Sequence, residues 1–183
     1  MPNFKDRDPA LAGPRSFFKK PIMLILLAAT AISLLCWYAG GLVVSLTAET
    51  GKSLAFSTFP GDRWNIRFTH SVEKTPWEEF FLVNGANDMT LTHTRFQSFG
   101  WGYPYSAADG RISQTGDGRF MLEMHRPYKS VKLRVAKQAM QHVIHGKDDY
   151  SLVDIFGHGM AIDIKAQYRF EYWLEKYEKY FDF

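Results

Sequence analysis

The chain has 183 residues and a formal net charge of +3, all of which sits in residues 1–20, where five basic side chains meet two acidic ones. From residue 21 onward there are 17 charges of each sign, so a pI near 8.9 reports an N-terminal basic tail and is no evidence for nucleic-acid binding, which needs basic residues clustered on a folded face. A single cysteine, Cys36, excludes an intramolecular disulfide.

In chain order, the first element is an apolar run from Ile22 to Leu46, 25 residues with no charged side chain, preceded by Lys5, Arg7, Arg15, Lys19 and Lys20. At about 1.5 Å per helical residue it is long enough to cross a hydrocarbon core of about 30 Å. Basic residues stay on the cytoplasmic side, and only Lys52 follows shortly, so the spacing predicts a cytoplasmic N terminus and an exported C-terminal part. The competing reading is a cleaved signal peptide. The long basic region, the long apolar run and the poor small-x-small pattern, with Leu46 two positions before Ala48, favour an uncleaved anchor. Trp37 and Tyr38 suit the outer interface, with Ala39 to Leu46 continuing the helix or leaving the bilayer. Cys36 follows Leu35 and does not read as a lipoprotein processing site. The division expected is a cytoplasmic tail 1–20, an anchor 21–46, a periplasmic β domain 47–164 and a C-terminal amphipathic helix 165–183.

The 137 residues after the run suit one domain. Strands are expected at Ser53 to Phe59, Trp64 to Ser71, Glu78 to Val83, Met89 to Phe96, Phe120 to Arg126, Ser130 to Val135, Gln141 to His145 and Tyr150 to Phe156. Turn clusters such as Pro60-Gly61-Asp62, Asn84-Gly85 and Gly116-Asp117-Gly118 separate them. In the second strand Trp64, Ile66, Phe68 and His70 alternate with Asn65, Arg67, Thr69 and Ser71, which marks a half-buried strand. Short strands at this spacing predict a mainly β protein, an antiparallel sandwich or barrel.

The period changes at the end of the chain. Ala166, Phe170, Trp173, Leu174, Tyr177, Tyr180 and Phe181 recur at three- and four-residue steps, with Glu171, Glu175 and Glu178 opposite. The ordinary expectation is that this aromatic stripe packs on the domain's own sheet. Docking of Phe170, Trp173, Leu174, Tyr177 and Phe181 on a partner protein is the second reading. Lying on a membrane surface is the third, disfavoured because the polar face lacks an excess of Lys and Arg.

Chemistry concentrates in Trp64 to Glu79, WNIRFTHSVEKTPWEE. His70 and Glu73, three residues apart at a strand end, suit sharing a proton or a metal, with a third ligand from His93, His125 or Glu79. None of the six histidines has a recognised zinc spacing, and the preferred reading is a hydrogen-bonded turn built by His70, Ser71 and Glu73 into Pro76, with Lys74 facing water. The Glu78-Glu79 pair points to opposite strand faces and is expected to be solvated. Trp101, Tyr103 and Tyr105, on a glycine-rich segment, suit binding hot spots or a loop capping the sheet. Gly51-Lys52-Ser53 lacks the first glycine of a phosphate-binding loop and reads as a linker. No metal or other cofactor is expected.

The block Thr69-His70-Ser71-Val72-Glu73-Lys74-Thr75-Pro76, with Trp64, Ile66, Phe68 and Glu78-Glu79, resembles the signature of the domain of unknown function 1850 family, and Ser98 to Pro104 resembles its middle motif. The resemblance extends over Leu54 to Ile164. It implies a small exported or membrane-anchored bacterial protein associated with TRAP-type transporters that use TAXI-class receptors, and it supplies no catalytic residues. The function expected is therefore a non-catalytic accessory component whose partner is an integral-membrane transporter subunit or its solute receptor. A periplasmic metal-dependent hydrolase using His70, Glu73 and a distant histidine is the main rival, and a free-standing small-ligand binding module is the third class.

Overall fold

The computed structural model describes residues 19–98 and 110–181, and the chain divides into two units, Met1–Tyr38 and Ala39–Phe183. The first is helix α1, Lys19–Ala39. Pro21 falls in its first turn, where the missing N–H is not needed. The apolar stretch Pro21–Ala39 has no charged side chain and is long enough to cross a membrane, a property shared by anchors and signal sequences. Its two aliphatic hydroxyls are satisfied within the helix, Thr30 Oγ1 donating to the Leu26 carbonyl and Ser33 Oγ to the Ala29 carbonyl, both at 2.8 Å.

The second unit is mainly β and built of two antiparallel sheets. One has the order β2(Ser53–Thr58), β1(Leu42–Ala48), β11(Ala161–Tyr168), β8(Val131–Arg134). The other runs β10(Asp148–Ser151), β9(His142–His145), β3(Arg63–Thr69), β4(Pro76–Gly85), β5(Asp88–Phe96), β7(Phe120–Tyr128), β6(Arg111–Gln114). Inner-face residues of both sheets form one core: Val44, Leu46, Ile162 and Ile164 from the smaller, Trp64, Ile66, Phe81 and Met89 from the larger. Trp64 and Phe81, opposed in register, stack with ring centroids 4.6 Å apart. Burying each such side chain is worth about 2–3 kcal/mol. The expected sandwich-like, mainly β architecture is present.

Three boundaries differ from expectation. The apolar run is helical only to Ala39, and Leu42–Ala48 is a strand. Gly40 and Gly41 interrupt the helix, the β-branched pair Val43-Val44 favours extended backbone, and a strand buried on both faces reads as a continuous apolar run. At the other end, Ala161–Tyr168 is a strand and the last helix, α3, spans Arg169–Phe181, so Lys165, Ala166 and Gln167 belong to the sheet. Tyr150 to Phe156 is not one strand: after β10 comes the short helix α2, Leu152–Phe156, whose buried Leu152 and Phe156 are one turn apart.

Candidate functional site

The motif forms the β3–β4 connection. The His70 N–H donates to the Thr75 carbonyl at 2.9 Å and the Lys74 N–H to the His70 carbonyl at 3.0 Å, closing a tight loop with Lys74 at φ +55°. The His70 imidazole works inside this loop, its Nδ1 accepting the Glu73 N–H at 3.4 Å. Ser71 and Val72 are exposed at the tip, Lys74 and Pro76 are exposed, and Glu73 is half-buried. Behind the loop the inner face of the larger sheet is aromatic: Trp77 lies 5.9 Å from His70, 6.1 Å from Phe68 and 5.2 Å from Phe96, ring centre to ring centre.

Neither member of the Glu78-Glu79 pair is solvated as expected. Glu79 points to the inner face opposite Thr94, and desolvation pushes its carboxyl above the usual range, opposed by the side-chain contact with Trp77. The buried Thr94 hydroxyl has no hydrogen-bond partner among the described residues. Glu78 is buried on the outer face, where Oε2 accepts from Arg95 at 2.5 and 2.7 Å and from Arg119 at 3.3 Å. The Arg95 guanidinium also lies 5.4 Å from the centre of the Phe80 ring. Arg95 and Arg119 were invisible to strand patterning because they come from β5 and from the turn before β7. The turn expected at Asn84-Gly85 falls one step later, at Ala86-Asn87, with Asn84 and Gly85 inside β4.

The groups proposed as metal ligands do not converge. His93 stacks on Phe80 at 4.3 Å on the outer face, whereas His70 lies beside Trp77 on the inner one, and His125 is exposed on β7. Among the described residues no three His, Cys, Asp or Glu side chains are placed to hold a metal ion. Two histidines that the sequence reading passed over pair with carboxylates instead. His145 Nε2 meets Asp62 Oδ2 at 2.8 Å, and His142 Nδ1 meets Asp149 Oδ1 at 2.6 Å, with Arg67 on the other Asp149 oxygen at 2.8 Å. These contacts hold both carboxyls below the usual range against the opposing effect of desolvation. Trp101, Tyr103 and Tyr105 lie outside the described residues.

The last helix sits on the smaller sheet in the sense opposite to the ordinary expectation. Its polar side is turned inward. Glu175 accepts from Lys165 Nζ at 2.6 Å and from Gln167 Nε2 at 3.3 Å, the Tyr172 hydroxyl meets Ser53 Oγ at 3.0 Å, and Arg169 Nη2 donates to Ser57 Oγ at 2.9 Å. Phe170, Leu174 and Tyr177 are exposed, while Trp173 is half-buried. Beside this helix a groove of about 750 Å³ runs over the outer face of β1, β11 and β8, lined among others by Thr47, Lys132, Arg134, Asp163 and Glu178. Asp163 Oδ1 is buried there without a hydrogen-bond partner among the described residues.

Within the β unit the motif and the start of β1 occupy different ends. Leu42 pairs with Tyr168, and the β4–β5 hairpin reaches the same end of β11, the Asn87 N–H donating to the Ala166 carbonyl at 2.7 Å. The motif lies at the other end of β4, ten residues and about 30 Å of strand away.

These features define a class: a two-sheet antiparallel β domain that follows an apolar helix of membrane-spanning length and carries a tight, charge-rich hairpin loop. Residues 65–152 match the family described as Domain of unknown function (DUF1850). The match covers most of β3 through β10 and omits β1, β2, β11 and α3, a narrower extent than Leu54 to Ile164. No curated protein and no solved structure matches the chain.

Proposed function

We propose that this protein is a non-catalytic accessory component of a TRAP-type, TAXI-class solute transporter, held in the bacterial inner membrane by α1 with its β unit in the periplasm. The transporter assignment rests on the family resemblance of the His70–Pro76 block. The observation that carries the recognition role is the separation of the two ends of the β unit. The chain enters at Gly41, and the loop bearing His70, Ser71 and Glu73 stands about 30 Å of strand away, on a rigid sheet. An anchored domain of this form presents the exposed tip Ser71-Val72 to a soluble receptor, and tethering replaces free encounter with a high effective concentration.

The test is gentle detergent extraction of the tagged full-length protein from its native membrane after crosslinking, with mass spectrometry of what accompanies it. Recovery of a permease or solute receptor, reduced by Ser71→Arg or Val72→Arg, supports the reading. Recovery of the protein alone sinks it. The small-ligand module remains as a second reading because of one observation, the groove containing the unpartnered Asp163 oxygen. It predicts a ligand-dependent rise in Tm that Asp163→Ala abolishes.

A further inference from the structure

We infer that the exposed aromatic edge of the smaller sheet and α3 docks on the surface of a lipid bilayer, the one into which α1 inserts; this rests on the reading of α1 as an anchor. Five large apolar side chains make up the edge. Phe170, Leu174 and Tyr177 are 43, 59 and 62% exposed along one stripe of α3, and Tyr168 and Phe59, at 41 and 63%, extend it past the helix start. Tyr168 and Phe170 stack at 5.8 Å, so the edge is partly preorganised.

Two observations favour lipid over protein as the occupant. The first is continuity along the chain. The Arg169 N–H donates to the Gly41 carbonyl at 2.8 Å, and Leu42 pairs with both Tyr168 and Thr58, so the edge begins two residues after Ala39, where the apolar helix ends. Chain connectivity alone therefore keeps this edge within a few residues of any bilayer that takes up α1. The second is composition. Tyr168 at the end of β11 and Tyr177 on α3 flank Phe170 and Leu174, which suits an interface that takes apolar rings and leaves hydroxyls in the headgroup layer.

The shortage of Lys and Arg on the polar face, which counted against this reading in the sequence, has a structural explanation. That face is occupied by Lys165, Gln167 and Ser53 of the protein's own sheet, so it does not meet lipid headgroups. Nor must the stripe bind a membrane unaided, because tethering makes a weak surface affinity sufficient.

The test uses the full-length protein carrying Cys36→Ser, reconstituted in phosphatidylcholine–phosphatidylglycerol nanodiscs and labelled with an environment-sensitive fluorophore at one new cysteine. Leu27→Cys reports α1, Leu174→Cys the helix stripe, and Ser71→Cys the motif tip as a control. The expected result is quenching of the Leu27 label by lipid nitroxides deep in the acyl chain. The Leu174 label should be quenched by nitroxides near the headgroup about threefold more than the Ser71 label, as for a helix lying in the interface.

If Leu27 is quenched while Leu174 is as open to aqueous iodide as Ser71, docking is overturned and the anchor stands. Without quenching at Leu27 the anchor fails and the proposal falls with it. Leu174 shielded from iodide but untouched by lipid nitroxides, or crosslinked in native membranes to a protein in place of lipid, assigns the edge to a protein partner and overturns the proposal.

Discussion

Glu175 of α3 meets Lys165 of β11 at 2.6 Å, and this contact turns the polar side of the last helix toward the sheet. The same carboxylate takes a hydrogen bond from Gln167, which is itself buried and bonded to Ser45 Oγ at 2.9 Å. Three polar groups at the sheet surface thus need a polar helix face above them. Leaving the aromatic side outward is the consequence.

Glu175→Ala should therefore loosen α3. Both partners are partly exposed, so the ion pair alone is worth well under 1 kcal/mol, and the lost contact with Gln167 brings the expected destabilisation to about 1 kcal/mol. Limited proteolysis reads this directly: cleavage within Arg169–Phe181 should accelerate severalfold while the rest of the β unit stays resistant.

Glu78 is the stronger electrostatic contact. Its side chain is only 11% exposed and answers two guanidiniums that are themselves about one-third exposed, Arg95 and Arg119. Glu78→Ala should cost about 2 kcal/mol, since it leaves Arg95 without its carboxylate, while Arg119 keeps Asp117 at 2.6 Å. Urea unfolding of this variant beside Asp149→Ala, whose ion pair is open to solvent, should show the larger loss at Glu78.

Acid dependence separates two carboxyls of opposite behaviour. Asp62 is held below 3.8, so its contribution is fully present above the unfolded value and is lost as pH falls through its folded pKa. Glu79 is held above 4.5, so the native state binds its proton more tightly, and stability falls as pH rises from the unfolded value to the folded one. Thermal melts should find Glu79→Gln more stable than the parent at pH 7, with the advantage shrinking toward pH 4. Asp62→Asn should be less stable at pH 7, the difference narrowing below pH 4. A Glu79→Gln variant less stable than the parent at pH 7 would contradict this account.

Gly110 tolerates no side chain. It sits at φ +139° immediately before β6, and a Cβ there would clash with the Glu123 carbonyl oxygen of β7. Gly110→Ala should cost at least about 2 kcal/mol through backbone strain and loss of pairing between the edge strand β6 and its neighbour β7. Amide hydrogen exchange should rise across Arg111–Gln114 before it rises in β3 or β4.

How much of this was legible in the sequence follows from the range of the interactions involved. The absence of charge over Ile22 to Leu46 announced an apolar helix by composition alone. Alternation along Trp64 to Phe68 announced a half-buried strand, because period two is a property of the backbone. The break at Gly40-Gly41 was hidden, since a strand buried on both faces is as uniformly apolar as a span.

The fate of Glu78 needed the tertiary structure. Counting back from the pairs Val83–Met89 and Phe81–Leu91, next to the hairpin turn at Ala86-Asn87, would set Glu78 opposite Thr94 and Arg95 opposite Trp77. A bulge at Thr92, whose hydroxyl donates to the Phe80 carbonyl at 3.1 Å, shifts the register by one. Arg95 is thereby carried to the outer face and onto Glu78.

The direction of α3 was decided in the same way. Helical periodicity gave its two faces, but the sheet beneath presents Lys165, Gln167 and Ser45, which only the pairing of β1 with β11 brings together. Sequence alone determined which residues share a face. Tertiary structure decided which face is covered, because the energy that chooses between faces is the desolvation of polar groups contributed by strands more than a hundred residues apart.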